Sequence, residues 1–141
     1  MNKYEKFVKW LATSIIIGAL PFIVNLIVNW VANQLSFQNI FKVNDLVFFA
    51  VIMNTTTILD ILTAKSINNN WKMLSQIALL FMIIISILFY GIFSFYTVNP
   101  PTANQFAPIY SNLINGCILI VLCSLLITIL IQLGFINKNL D

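Results

Sequence analysis

The sequence has no histidine and no arginine, and only 8% of its 141 residues are charged. Each shortage excludes something. A soluble domain carries about a quarter of its residues charged, so a chain this poor in charge cannot cover a water-facing surface. Catalysis has little to work with. No Cys/His/Asp grouping has metal-ligand spacing, and no glycine-rich loop could cradle a phosphate. The acids are Glu5, Asp45, Asp60 and Asp141. A lone carboxylate without a base, nucleophile or metal beside it is not an active site, so the expectation is a protein that is not an enzyme and takes no cofactor. With arginine absent, the net charge of +3 comes from lysines alone. They are spread along the chain instead of gathered in one patch, which excludes nucleic acid as a partner and makes anionic lipid headgroups their natural neighbours. The two cysteines, Cys117 and Cys123, fall on one predicted helix about 9 Å apart along its axis. That separation and their different directions exclude a disulfide between them.

What is present is apolar sequence, 60% of the chain. Spans of about 20–25 residues are needed to cross a bilayer, and four of them use most of the length. The expected fold is an all-α integral membrane protein, with four transmembrane helices in an antiparallel bundle. It forms a single domain over residues 1–141, with helices at about 9–34, 45–64, 71–97 and 107–135. The first run is too long for the apolar region of a signal peptide and lacks a small-residue cleavage site, so it reads as a retained helix. Trp10 and Trp30 bracket about 30 Å of that helix, and Pro21 between them predicts a kink. Asn44 is suited to cap the second helix and Asp45 to its first turn. Asn99-Pro100-Pro101 stops the third. Pro108 suits the first turn of the fourth.

Lysine placement orients the chain. With four spans, Lys3, Lys6, Lys9, Lys65, Lys72 and Lys138 share one side and Lys42 stands alone on the other. The positive-inside bias then places both termini in the cytoplasm and the protein as a multi-pass component of the inner (plasma) membrane. Tyr4, Trp10 and Trp71 form the inner aromatic belt, with Trp30, Tyr96 and Tyr110 in the outer one.

Lipid cannot hydrate amides, hydroxyls or a carboxylate, so such groups must face protein or water. Phased at about 100° per residue, the second helix gathers Ala50, Met53, Asn54, Thr57, Asp60 and Ala64 on one side. Thr55 and Thr56 fall outside that stripe and can satisfy their hydroxyls on the preceding turn. The first helix carries Ser14, Gly18, Pro21, Asn25 and Asn29 on one side, with Ser14 and Gly18 allowing close backbone approach. The expectation is that these two stripes meet, making Asn25, Asn29, Asn54, Thr57 and Asp60 a shared intramembrane polar face. The fourth helix has two adhesive faces, Asn112, Asn115 and Gly116 on one and Ser124, Thr128 and Gln132 on the other. One is expected to serve the bundle and one a neighbouring subunit, so both supply subunit-interface candidates.

Three functions suit this plan. The first is an oligomeric membrane subunit, a homo-oligomer that anchors a cytoplasmic protein partner or forms a pore. The second is a small proton- or cation-coupled transporter using Asp60. In size and four-span layout the chain is similar to the small multidrug-resistance exporters. That resemblance implies a coupling carboxylate within the membrane. The exporters place a glutamate in their first helix, whereas the acid here, Asp60, is on the second, and no residue is carried across. The third is a holin-like pore or a membrane effector of anti-phage defence, an analogy of size and apolarity alone.

Overall fold

The computed structural model describes residues 3–36, 40–63, 69–99 and 103–137. Four α-helices account for nearly all of them: α1 (Lys3–Val31), α2 (Val43–Thr63), α3 (Asn69–Val98) and α4 (Ala103–Asn137). Each contains a stretch long and apolar enough to cross a membrane, Phe7–Val31, Val43–Thr63, Asn69–Val98 and Ala107–Gly134.

The helix ends differ from the expected ones for local reasons. α1 begins inside the lysine-rich head, where Glu5 occupies the first turn and suits the helix dipole. It ends earlier than expected because Asn33 takes a left-handed conformation, with φ of 58°. Asn33 N–H donates to the Trp30 carbonyl at 3.1 Å and Gln34 N–H to that of Asn29 at 2.9 Å. These two bonds close a Schellman motif, with asparagine where glycine is usual. Asn44 does not cap α2. It lies inside the helix, and the Lys42 carbonyl accepts from the N–H groups of Asp45 and Leu46, both at 3.1 Å. α4 starts five residues upstream of Pro108, which therefore sits in the second turn. There the proline leaves only the carbonyl of Asn104 without its helical partner, close to the helix start. Pro21 lies within an uninterrupted α1. The expected loop around Lys65 and the turn at Pro100-Pro101 lie outside the described residues, as does the C-terminal tail.

α2 is the element on which the others assemble. It packs against α1, α3 and α4; α3 packs against α4; α1 touches α4 slightly, and among the described residues it does not touch α3. α1 is therefore a flank on a three-helix core. Three apolar clusters fill that core. Val43, Leu46 and Val47 meet Leu113, Ile114 and Cys117 at one end. Ala50, Met82 and Ile120 follow, and Ile61, Leu79 and Ile131 close the other end. Outward faces carry large aliphatic and aromatic side chains, such as Phe48, Leu59 and Leu62 on α2 and Leu119, Leu122 and Leu126 on α4. That is the distribution a lipid-facing surface requires. Both cysteines are free, Cys117 within the core. Trp10 is turned into the protein and stacks on Phe7.

Candidate functional site: the polar seams of α2

The polar residues of α2 serve two seams on different sides of the helix. The first joins α1. Ser14 Oγ lies 3.0 Å from Thr56 Oγ1. Thr56 directs its own proton to the carbonyls of Ile52 and Met53, at 2.9 and 3.0 Å, so Ser14 is the donor between them. One turn further along α1, Gly18 lies under the ring of Phe49. A β-carbon there would come within 2.5 Å of Phe49 Cδ2, so any side chain would have to displace the ring. Beyond it, Asn25 donates through Nδ2 to Asp45 Oδ2. Asn29 donates to the Asn25 carbonyl at 2.7 Å. Phe22 packs in tilted ring contacts against both Phe41 and Phe49.

The second seam joins α4. Asn54 is completely buried and donates to the Ala50 carbonyl at 2.8 Å and to Ser124 Oγ at 3.0 Å. Thr57 and Thr128 are equally buried. Each returns its hydroxyl proton to its own helix, Thr57 to Met53 at 2.8 Å and Thr128 to Ser124 at 2.8 Å. Near the end of the seam, Gln132 Nε2 donates to Asp60 Oδ2 at 3.1 Å. Asp60 itself is exposed while Gln132 is buried, so the carboxylate lies at the rim of the bundle.

These positions correct the expected pairing. Asn25, Asn29, Asn54, Thr57 and Asp60 do not form one face. Asn25 bonds Asp45 across the α1 seam and Asn29 bonds the Asn25 carbonyl of its own helix, while Asn54 and Asp60 bond Ser124 and Gln132 of α4 and Thr57, buried, bonds its own helix. The α1 stripe of Ser14, Gly18 and Asn25 meets Thr56, Phe49 and Asp45, a line offset from the Asn54–Thr57 stripe around α2. Thr56, expected to need no partner, has one. Ser124, Thr128 and Gln132 are likewise corrected as subunit-interface residues, because they are buried against α2 of the same chain. Gly116 is also enclosed within the chain: a β-carbon there would lie 2.4 Å from Phe89 Cε1. Asn112 and Asn115 are the exposed members of the two α4 faces.

The spacing of polar residues by three and four indicated that α2 had a buried polar side. Nothing in it distinguished α1 from α4 as the neighbour. Asp45 and Thr56 were the residues missed. Their signal was present in hindsight, since Asp45, Phe49, Ile52 and Thr56 recur at helical spacing, but a large aromatic in the line disguised it as a lipid face.

Compared with known protein families, curated proteins and solved structures, the chain matches none.

Proposed function

We propose that the protein is an oligomeric subunit of the inner membrane, with its helices antiparallel and both termini cytoplasmic, and that it works by anchoring a partner or by forming a pore between copies. The antiparallel order is supported by the α1–α2 pairs, in which Ser14 meets Thr56 and Asn25 meets Asp45: rising numbers on one helix meet falling numbers on the other. Sidedness is supported by the lysine distribution.

The observation that carries the oligomeric reading is the state of α4. Its Ser124–Thr128–Gln132 face is consumed by the chain's own bundle. Asn112 and Asn115 remain exposed within the span and lack a hydrogen-bond partner among the described residues. An amide at the membrane is best satisfied by another polar group, and asparagine, being both donor and acceptor, pairs well with its own copy. The core of a single chain is filled by apolar clusters, so a conducting path belongs between chains.

Photobleaching step counts or native mass spectrometry in lipid nanodiscs test this. The wild type is expected to oligomerise. Replacing both Asn112 and Asn115 by leucine is expected to weaken association several-fold, in keeping with about 0.6–1.7 kcal/mol per interhelical hydrogen bond. A strictly monomeric wild type in lipid ends the reading. Membrane potential during expression separates pore from anchor, because only a pore collapses it.

One observation favours the transporter as a second reading. Asp60 is an exposed carboxylate inside a span, held by a neutral amide. Asp60→Asn is expected to fold, since its carbonyl oxygen can still accept from Gln132, while abolishing any substrate-linked proton movement. If such movement survives the substitution, Asp60 is not the coupling group.

A further inference from the structure

Asn54 is the twelfth residue of the 21-residue α2, near the middle of its span. Its amide nitrogen is used twice, on the Ala50 carbonyl and on Ser124 Oγ. Its amide oxygen is buried and no donor among the described residues reaches it. Turning the amide over does not help, because Oδ1 would then face the Ala50 carbonyl, acceptor against acceptor.

The hydroxyls of Thr57, Thr128 and Ser86 cannot supply the missing donor. All three residues are fully buried, and each sends its proton to a carbonyl of its own helix, at 2.8 Å in every case. Ser124 accepts from Asn54, and its own proton has no acceptor in the described structure. The polar interior is therefore rich in oxygen lone pairs and short of donors. It holds one uncommitted hydroxyl proton and one amide oxygen that needs one. An unsatisfied amide oxygen so far from bulk water is costly.

We propose that a single ordered water molecule is bound at this point. It donates one hydrogen to Asn54 Oδ1 and the other to a neighbouring hydroxyl oxygen, and it accepts the Ser124 proton. Three such bonds are what buried waters commonly make. The chemistry selects water over a monovalent cation, which could use the same lone pairs, because none of these residues is a carboxylate and a cation's charge would go unbalanced in the span. The site is isolated. The Ala50–Met82–Ile120 cluster lies towards one end of the core and the Ile61–Leu79–Ile131 cluster towards the other. It is one hydrated point in a dry core, and it does not depend on the oligomeric reading.

Water-edited solid-state NMR on the full chain in lipid bilayers tests it. Magnetisation from water is expected to reach the Asn54 side chain several-fold faster than Leu79 or Ile61, which are equally buried. In Asn54→Leu, the fast transfer to Ser124 and Thr128 is expected to disappear. Build-up at Asn54 as slow as at Leu79 overturns the proposal. So does a shift of the Asn54 signal on exchanging sodium for potassium or lithium, which would identify the guest as an ion. The wild-type measurement decides the matter whether or not the variant folds.

Discussion

Three of the four glycines in the membrane spans differ in what they make room for. Gly18 leaves the space taken by the ring of Phe49, and Gly116 that taken by Phe89, whereas nothing lies within 4 Å of a β-carbon built at Gly91. Alanine at position 18 or 116 must therefore push an aromatic ring out of its place, and overpacking of this kind costs about 1–3 kcal/mol. Alanine at position 91 meets open space and removes a flexible residue from a helix interior, a change of about 0.5–1 kcal/mol in the stabilising direction. Unfolding of the three variants in mixed micelles should separate them: Gly18→Ala and Gly116→Ala lowered, Gly91→Ala unchanged or raised. Sequence alone marked Ser14 and Gly18 as a place of close approach. It could not name Phe49 as what approaches, because helical periodicity gives a residue's direction and not its neighbour. The same limit explains why helical periodicity does not single out Thr56 and Asp45, while Asn54 and Thr57 are buried.

Among the elements, α1 stands apart. It is docked on α2 by a narrow line of small, polar and aromatic contacts, and most of its surface is open. Its far end depends on Asn33, whose left-handed backbone lets the two capping bonds close. A β-carbon in that conformation costs about 1–2 kcal/mol unless the side chain compensates. Asn33→Ala is therefore expected to fray the last turn and Asn33→Gly to preserve it, as amide hydrogen exchange at Val31 and Ala32 would report. All four helices could be found from the sequence, because stretches this apolar and this long have no other stable form in lipid. Their ends were harder to place. The left-handed stop at Asn33 and the early start of α4 before Pro108 are settled by single backbone groups that carry little weight in a hydropathy pattern.

At the scale of the whole molecule, the lysine asymmetry and the proposed antiparallel order of the helices make one joint prediction. In a background with Cys117 and Cys123 replaced by serine or alanine, a cysteine at the exposed Asn99 position is expected to react with an impermeant maleimide added outside intact cells. One at the exposed Lys9 position should react only after the cells are opened. The reverse pattern would invert the proposed topology. Architecture was legible because it follows from the solvent, and function was not, because no residue grouping in this chain is peculiar to one chemistry.

The bond between Asn54 and Ser124 joins residues 70 positions apart, and that distance sets a schedule for biogenesis. At ribosomal speeds of about 5–20 residues per second, α4 is made roughly 4–14 s after the middle of α2. During that interval one hydrogen of the Asn54 amide, the one that Ser124 will accept, has no partner on α2. The helix must wait in the insertion machinery, stay beside an attendant protein, or borrow a serine from a neighbouring nascent copy. Translation arrested after α3 should therefore leave α2 crosslinkable to the translocon, and release should come only with the arrival of Ser124.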